Sequence, residues 1–391
     1  MSAVPGAGAR ALKVAMIMTN LDDLGVQRVV INLYNHFDRD AIDPSLVVWS
    51  NSGKVAHFLK TEKPVIETDV GLRRPRLLFR LFRYRRIISD LRPDVVLSFV
   101  PVTNVSMALT KAILPTLPPI VMCEHAFISR AFANAEYVGA FRYLYKAMMK
   151  PMYNIVAAKL IMTAVAGKID AVDKWRIKEE QIEIIHNPQD ISELRRRAAE
   201  VPDHEWLTRK RVPVIIGAGR LTRQKGLDKL LHAFKLVCDQ REIRLLILGR
   251  GELEGDLRRI ANELGVSDRV QFLGFQTNHL QYISRADLFV LSSVWEAMPM
   301  VIAETMAVGT PIVSFDCPSG PKEMLDGGDC GFLVPDQDVG GLAACIEYAL
   351  DHREEAQKRA LKAQEKVEQF DVALVAKQYE SALMSVVRPK G

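Results

Sequence analysis

Residues 287–315 read DLFVLSSVWEAMPMVIAETMAVGTPIVSF, and this stretch decides the fold. An apolar run is followed by a loop, Pro299 then opens an apolar helical segment, and Gly309 returns the chain to a second apolar run. Proline fits the first turn of a helix, where its missing amide hydrogen would have no partner. The order of strand, helix and strand predicts a βαβ unit within a parallel sheet.

The same alternation continues outward from this unit through both halves of the chain. In the second half, the predicted strands are residues 212–218, 243–248, 269–273, 287–291 and 311–315. In the first half, before a polar stretch over residues 189–211, they are residues 12–18, 46–49, 94–99, 119–123, 159–163 and 182–185. The pattern predicts an α/β protein with two doubly wound, Rossmann-like domains. Such domains bind ligands at the carboxyl ends of their strands, so we expect a site in the cleft between them.

Length and composition agree with two domains and exclude other classes of protein. A chain of 391 residues is long for one domain, and its 49% hydrophobic and 25% charged residues are close to the average of globular proteins. This composition excludes disordered and fibrous chains. No run of 18 apolar residues occurs, so we predict no membrane-spanning helix. The five cysteines are scattered without the spacing of metal ligands, which indicates a reducing cytosol.

The excess of positive charge lies in the first half of the chain. Residues 1–190 contain 25 Lys and Arg against 18 Asp and Glu, whereas residues 191–391 contain 27 against 29. An anionic partner is therefore expected to bind the first half. Nucleic acid, a lipid headgroup and a phosphorylated substrate all remain open on this observation.

Two glutamates in the quoted stretch are eight residues apart. Glu296 lies in the loop before the helix, and Glu304 lies two turns inside it, on an otherwise apolar segment. A carboxylate among apolar residues is costly unless a partner satisfies it. One interpretation is a surface carboxylate together with a charge that the helix dipole favours. Glycine-containing loops after other predicted strands favour the alternative, in which several loops converge on one ligand site.

The segment GAGRLTRQKG, residues 217–226, follows the first strand of the second half and precedes a helix. Its glycines let backbone amides approach an anion, and Arg220 with Lys225 are suited to clamp a diphosphate. It matches neither a Walker loop nor a dinucleotide fingerprint, and a merely basic turn is an equal interpretation. In the first half, Gly25 after the first strand is another candidate phosphate approach. His125 follows a further strand, where a structural histidine is the alternative.

Two basic segments of the first half have the pattern of amphipathic helices. The segment from Arg73 to Ile88 contains seven arginines and no acid, and the segment from Phe141 to Lys159 mixes aromatic residues and methionines with four basic residues and no acid. The arginines at helical spacing form one predicted stripe, Arg73, Arg76, Arg80 and Arg83. Such helices are typical of proteins that bind an anionic membrane surface. Ordinary domain helices with solvated arginines are the alternative.

Taken together, these elements resemble a family 4 glycosyltransferase with the two-domain GT-B fold, over roughly residues 14–387. The most specific motif is Glu296 and Glu304 in the spacing E-x7-E, followed by the turn from Arg220 to Lys225 and by the pair Gly25 and His125. Three residues depart from the family pattern, namely Ala297 and Thr305 after the two glutamates and Leu24 in the glycine loop.

The resemblance implies a domain organisation and a set of roles. Residues 1–190 would bind the acceptor, residues 191–370 the nucleotide sugar, and residues 371–391 would form a C-terminal helix that crosses back to the first domain. In the donor domain, Arg220 and Lys225 would hold the diphosphate, Glu304 the ribose hydroxyls, and Glu296 the sugar. His125 would contact the 6-hydroxyl region of the sugar, and Gly25 would approach the diphosphate. The remaining donor contacts would come from the backbone of Gly274 and Phe275 at the base, and of Met298, Pro299, Met300 and Val301 at the phosphates.

The segment of residues 316–323 and the motif His186-Asn187-Pro188 are similar to a branch that builds bacterial glycans on polyprenyl-diphosphate carriers. The resemblance implies a retaining transferase that moves a hexose or N-acetylhexosamine from a UDP-sugar to a membrane-anchored, lipid-linked saccharide. It further implies a cytoplasmic enzyme held at the inner leaflet by the two basic segments, with no metal cofactor and no nucleic-acid partner. A sugar-nucleotide epimerase of the same fold and a non-catalytic binder of anionic lipid or nucleic acid are the alternatives.

Overall fold

The computed structural model describes residues 10–22, 25–51, 56–61, 63–68, 77–125, 128–129, 139–318 and 320–387. The chain forms two compact units. Unit 1 consists of Met1–Pro188 together with Val372–Gly391, and unit 2 consists of Gln189–Asp371.

Each unit is built on a parallel sheet. In the described part of unit 1, the sheet has the order β3-β2-β1-β4-β5-β6-β7. Its strands are β1 (Leu12–Ile17), β2 (Ile42–Val48), β3 (Ile66–Glu67), β4 (Val95–Ser98), β5 (Ile120–Glu124), β6 (Lys159–Met162) and β7 (Ile182–Ile184). In unit 2 the order is β10-β9-β8-β11-β12-β13. Its strands are β8 (Val214–Ala218), β9 (Arg244–Leu248), β10 (Val270–Gly274), β11 (Leu288–Leu291), β12 (Ile312–Asp316) and β13 (Phe332–Pro335).

Helices connect successive strands in both units. In chain order they are α1 (Gly25–His36), α2 (Leu77–Leu91), α3 (Pro101–Ile113), α4 (Gly139–Pro151), α5 (Val165–Trp175), α6 (Ile191–Ala198), α7 (Glu205–Thr208), α8 (Leu227–Cys238), α9 (Glu254–Glu263), α10 (Leu280–Ile283), α11 (Met300–Val308), α12 (Pro321–Met324), α13 (Val339–Asp351), α14 (Arg353–Lys366) and α15 (Val372–Ser385). A π-helical turn, Met152–Val156, extends α4. The predicted α/β class is therefore confirmed.

The strands of unit 2 are apolar on both faces because helices cover both sides of the sheet. Successive side chains of a strand point to opposite faces, so Ile215 packs in one core with Leu230 and Phe234 of α8. Its neighbour Ile216 packs in a second core with Ile302 of α11. Each such fully buried side chain contributes about 1.5–3 kcal/mol to stability.

The C-terminal segment packs within unit 1. Helix α15 contacts α1, and its Tyr379 and Leu383 are fully buried. The carboxylate of Glu380 accepts a hydrogen bond from the amide of Asp38 just beyond α1, at 2.8 Å. The Tyr379 hydroxyl lies 3.9 Å from the thiol of Cys123 on β5.

Several local predictions were incomplete. The short strand β3 and the strand β13 were not predicted, and β2 begins at Ile42 rather than at residue 46. Arg73, Arg74 and Arg76 of the basic segment lie outside the described residues, as does Leu24. Within the described ranges, no helix is both long and apolar enough to cross a bilayer.

Candidate functional site

The strand order of unit 2 reverses between β8 and β11, and a crevice forms at such a point in open parallel sheets. The loops that follow these two strands are joined by hydrogen bonds. The amide of Val294 donates to the carbonyl of Gln224 at 2.8 Å, and the Gln224 side chain donates to the carbonyl of Trp295 at 3.1 Å. The Ser292 hydroxyl donates to the carbonyl of Lys225 at 2.9 Å. The two loops therefore form one wall at the carboxyl edge of the sheet.

Lys225 and Glu296 form an ion pair across this wall. The Lys225 ammonium lies 2.5 Å from Glu296 Oε1, and the Ser293 hydroxyl donates to the same oxygen at 2.7 Å. Only 15% of the Lys225 side chain and 6% of the Glu296 side chain are exposed. Removing two charges from water costs about as much as their attraction returns, so such a pair is weak evidence for a role in stability. Arg220 lies exposed on the same loop, with Nη2 3.4 Å from Gln224 Oε1.

Glycine is required where the loops of this edge meet. Gly226 has a φ of +56°, and a Cβ there would lie 2.2 Å from the carbonyl oxygen of Ser292. Gly249, after β9, has a φ of +131°, and a Cβ there would lie 1.8 Å from the carbonyl oxygen of Gly219. Both positions exclude any side chain, so the backbones of three loops pack directly against one another.

The buried glutamate has a partner that the sequence did not indicate. Glu304 lies in the second turn of α11 and is 5% exposed. Its Oε2 is 2.9 Å from Nε2 of His279, which lies in the loop between β10 and α10. A single histidine in a polar loop carries no signal for this contact, because the two residues come together only when α11 packs beside that loop.

The other predicted donor contacts lie at the same edge of the sheet. Gly274 ends β10 with a φ of +66°, and its carbonyl accepts the amide of Gly249 at 2.8 Å. Phe275 follows and is 42% exposed. Pro299 precedes α11 without a side-chain hydrogen bond to the first turn, which contains Met300 and Val301. Met298, just before it, is buried.

In unit 1 the predicted residues lie at the carboxyl ends of different strands. Gly25 is exposed at the start of α1, which follows β1. His125 directly follows β5. In the sheet, β4 lies between β1 and β5. Nδ1 of His125 lies 3.1 Å from Oδ1 of Asn187. Its ring stacks at 6.1 Å between centroids on Phe99, which follows β4. Burial lowers the pKa of His125 to about 4.

A buried acid beside His125 had no role in the sequence interpretation. Glu124 is 1% exposed, and its Oε1 accepts hydrogen bonds from Asn104 and Tyr145, both at 3.0 Å, and from Tyr153. Burial raises the pKa of Glu124 to about 7, against these hydrogen bonds, which lower it. Tyr153 reaches the carboxylate from the π-helical turn after α4, and π-helical turns are frequent at functional sites.

The predicted arginine stripe of α2 needs correction. Arg80 is buried, with its guanidinium 3.6 Å from the centroid of the Trp49 ring, and Arg83 donates to the carbonyl of Glu67 at 3.2 Å. These arginines are held against the unit because Leu81, Tyr84 and Ile88 on their side of the helix are buried. The exposed residues of α2 include Phe79, Phe82, Arg85 and Arg86, and the Arg86 guanidinium lies 3.8 Å from the carboxylate of the exposed Asp90.

The second basic segment is confirmed as a helix only up to its π-helical turn, since its last basic residue, Lys159, begins strand β6 and pairs with Glu183. On α4, Tyr145 and Met149 are buried, whereas Tyr143 is 77% exposed. The exposed basic side chains of α4 are Arg142, Lys146 and Lys150. The side chain of Phe141 lies outside the described residues.

Two family models match the chain, one in each half. Residues 25–193 match the model described as Glycosyltransferase Family 4, and residues 203–366 match the model described as Glycosyl transferases group 1.

Several curated proteins are similar to this chain. An uncharacterized glycosyltransferase of Methanocaldococcus jannaschii is 26% identical over 64% of this chain and 62% of its own length. The lipopolysaccharide core biosynthesis glycosyltransferase LpsE of Rhizobium meliloti is 37% identical over 34% of this chain and 38% of its own. These two matches thus span less than two thirds of either relative. The N-acetylgalactosamine-N,N'-diacetylbacillosaminyl-diphospho-undecaprenol 4-alpha-N-acetylgalactosaminyltransferase of Campylobacter jejuni is 24% identical over 82% of this chain and 84% of its own.

Among solved structures, Anabaena HepE in complex with UDP and glucose has a TM-score of 0.78 at 19% identity, covering 96% of this chain and all of that one. The apo form of the lipopolysaccharide outer core galactosyltransferase WaaB has a TM-score of 0.72 at 19% identity, covering 96% and 99%. These likenesses show the fold. Because the two family models together span both units, the chain belongs to the glycosyltransferases, with a family 4 first half, a group 1 second half and the GT-B fold.

Proposed function

We propose that this chain is a retaining glycosyltransferase that moves a hexose or N-acetylhexosamine from a UDP-sugar to a membrane-anchored saccharide. The acceptor we propose is linked to a polyprenyl diphosphate, and the pathway is bacterial cell-surface glycan synthesis. The observation that carries the proposal is the largely buried ion pair of Lys225 and Glu296, placed at the switch point of unit 2 beside the exposed Arg220. The UDP bound in the HepE complex and the diphospho-undecaprenol in the name of the Campylobacter relative support it.

The donor diphosphate is proposed to bind between the two cations. Lys225 already lies in a largely desolvated place, where a fixed positive charge acts strongly on a developing negative charge. As the bond to the sugar breaks, negative charge grows on the departing UDP, and Lys225 with Arg220 stabilises it. The first turn of α11, with the backbone of Met298, Met300 and Val301, adds the positive end of a helix. Glu296 stays beside Lys225 and positions the sugar.

The nucleoside is proposed to bind farther along the same edge. Glu304 accepts the ribose hydroxyls, and His279 holds the carboxylate in place from the other side at 2.9 Å. The backbone of Gly274 and the exposed Phe275 cover the base. Binding of the ribose hydroxyls by Glu304 would explain why an acid lies buried on an apolar helix.

The acceptor is proposed to bind unit 1, which would also supply His125 at the 6-hydroxyl region of the transferred sugar and Gly25 near the donor diphosphate. We further propose that the outward face of α2 rests on an anionic membrane, because Phe79 and Phe82 are about half exposed beside Arg85 and Arg86. An aromatic and basic face of this kind is typical of surface-bound helices. Tyr143 and the basic residues of α4 are a second contact. The enzyme would thus be cytoplasmic and peripheral at the inner leaflet.

The two cations of the donor site lead us to propose transfer without a divalent metal. The test uses UDP-glucose, UDP-galactose and their N-acetylhexosamine counterparts, with a polyprenyl-diphosphate disaccharide, in the presence of EDTA. We expect UDP release that depends on the acceptor, and a product whose new linkage keeps the α configuration by NMR. A UDP concentration of 100 times the Kd should also stabilise the protein by about 2.7 kcal/mol.

Each other outcome has a definite meaning. Turnover of the UDP-sugar without acceptor would replace the proposal by an epimerase, and activity only with added Mg²⁺ would remove the metal-independent part. If no donor of the panel supports transfer and calorimetry detects no binding of UDP, the proposal is wrong. Tight, strongly salt-dependent binding of nucleic acid in that case would favour the non-catalytic alternative.

A further inference from the structure

Asn187 has a defined place in unit 1 that the proposed function leaves unexplained. It follows β7, belongs to the motif His186-Asn187-Pro188, and is 6% exposed. Its Oδ1 lies 3.1 Å from Nδ1 of His125, which is 62 residues away in sequence and follows β5. The contact therefore joins the carboxyl ends of two strands that are separated by β6.

This contact determines which ring nitrogen of His125 carries the proton. An amide oxygen only accepts hydrogen bonds, so Nδ1 must be the donor and a neutral ring then has its lone pair on Nε2. Nε2 is buried and has no hydrogen-bond partner among the residues that the structure describes. A buried acceptor without a partner costs free energy. A donor group on a bound molecule would satisfy this nitrogen.

We propose that Asn187 is a positioning residue that holds His125 in the tautomer protonated at Nδ1, so that Nε2 accepts a hydrogen bond from a sugar hydroxyl. The inference rests on the proposed function for the identity of the hydroxyl, which belongs either to the transferred sugar or to the acceptor saccharide. The assignment of the tautomer itself rests only on the geometry of unit 1.

The surroundings of His125 keep its ring neutral. The pKa of His125 is lowered to about 4 by burial, and the hydrogen bond from Nδ1 to Asn187 opposes this only in part. The adjacent Glu124 is engaged by Asn104, Tyr145 and Tyr153, and Phe99 contributes an apolar ring. Near neutral pH, a ring in these surroundings is an acceptor at Nε2 rather than a cation.

The first experiment reads the tautomer directly. Full-length protein labelled with ¹⁵N-histidine is examined by long-range ¹H–¹⁵N correlation at neutral pH, and the His125 signals are identified by their absence from His125→Gln. We expect the protonated type of nitrogen at Nδ1 and the bare type at Nε2. The reverse assignment would mean that the amide group of Asn187 faces the ring with its NH₂, and would overturn the inference whether or not the protein transfers sugar.

The second experiment compares two substitutions of Asn187. Asn187→Asp keeps the acceptor and adds a negative charge, so the His125 ring should keep its tautomer while the acid limb of the pH–rate profile moves to higher pH. Asn187→Leu removes the acceptor, so the ring should populate the other tautomer and kcat/KM should fall at least 10-fold. Asn262→Asp on the exposed face of α9 adds the same charge in unit 2 and serves as the control, with an unchanged profile.

The kinetic constants identify the source of the hydroxyl. A rise in KM for the UDP-sugar alone in Asn187→Leu points to the transferred sugar, and a rise in KM for the lipid-linked saccharide alone points to the acceptor. If Asn187→Leu lowers only the melting temperature and leaves the tautomer, the constants and the pH profile unchanged, Asn187 is structural and the inference is wrong. If the unmodified protein does not bind UDP, that result counts instead against the proposed function.

Discussion

The carboxyl edges of the two sheets carry opposite chemistry. In unit 2 the polar side chains are paired as opposite charges or as acid and imidazole, Lys225 with Glu296 and His279 with Glu304. In unit 1 the two ionisable groups at the end of β5 are shifted towards their neutral forms, because burial raises the pKa of Glu124 to about 7 and lowers that of His125 to about 4. The first edge suits a charged nucleotide, and the second suits uncharged hydroxyl groups.

The same topology thus supports two kinds of recognition. Both edges lie near a reversal of strand order, which is where open parallel sheets bind ligands. The difference comes from the side chains that each edge buries. Oppositely charged side chains lie together at the edge of unit 2, whereas at the edge of unit 1 burial shifts Glu124 and His125 towards their neutral forms, and hydrogen bonds from their tyrosine and amide neighbours only partly oppose it.

The largest expected effect tests the charged edge. Lys225→Met should lower kcat by about 100-fold, on the order of 3 kcal/mol, since one donor to the developing charge is lost. The comparison is made with Lys235→Met on the exposed side of α8, which should keep full activity. Steady-state kinetics and calorimetry with UDP measure both effects. A fall of less than 3-fold for Lys225→Met in folded protein would contradict a role at the diphosphate.

The second prediction concerns the pair of His279 and Glu304. His279→Leu leaves the buried carboxylate without this donor, and a lost hydrogen bond to a charged group costs about 2 kcal/mol, so the Kd for UDP should rise about 30-fold. Calorimetry with UDP and with 2′-deoxy-UDP measures the ribose contribution. The preference for UDP should shrink in His279→Leu and should survive in His232→Leu, a histidine on the exposed face of α8. If His279→Leu keeps the full preference for UDP over 2′-deoxy-UDP, His279 has no part in ribose binding.

The third prediction tests the neutral edge through the pH dependence of stability. Because the pKa of Glu124 is about 7 in the folded chain and ordinarily 4.5, its contribution is full below pH 4.5 and is lost as the pH rises through about 7. Glu124→Gln should therefore gain stability relative to the unmodified protein as the pH rises from about 4.5 to about 7, by up to about 1.4 kcal/mol per pH unit.

Denaturant unfolding at several pH values measures this difference. His125 acts in the opposite sense, since its lowered pKa makes the folded state lose stability as the pH falls from about 6.5 towards 4. His125 is present in both proteins, so its contribution cancels in the difference between them, and the effect of Glu124 should develop as the pH rises from about 4.5 to about 7. A constant difference between Glu124→Gln and the unmodified protein would show that Glu124 is already ionised in the folded chain.

The smallest expected effect concerns the membrane surface proposed for α2. A basic residue near an anionic surface contributes about 1 kcal/mol, so Arg85→Gln should weaken binding to vesicles with phosphatidylglycerol about 5-fold. Phe82→Ser should act in the same direction, and Leu236→Ser, an exposed apolar residue of unit 2, should have no effect. Vesicle co-sedimentation at two salt concentrations distinguishes the charge from the apolar contribution. Equal binding by all three variants would place the membrane contact elsewhere.

Much of the fold was predictable from the chain alone. The alternation of apolar runs and helical segments, together with Pro299 and Gly309, predicted the parallel sheets and the order of most strands. The spacing of Glu296 and Glu304 and the turn from Arg220 to Lys225 indicated the residues of the proposed donor site. These features are local, since they depend on neighbouring residues along one strand, one turn or one helix.

Other contacts were decided by tertiary packing. His279 reaches Glu304, Asn187 reaches His125, and Tyr153 reaches Glu124, each between elements that the sheet order brings together. Arg80 was predicted on a basic stripe and instead lies over the Trp49 ring. Periodicity tells which face of a helix is apolar and where a strand ends. It does not tell which distant side chain lies opposite, because that partner is selected by strand order and by burial, and burial also sets whether an acid or a histidine there carries charge.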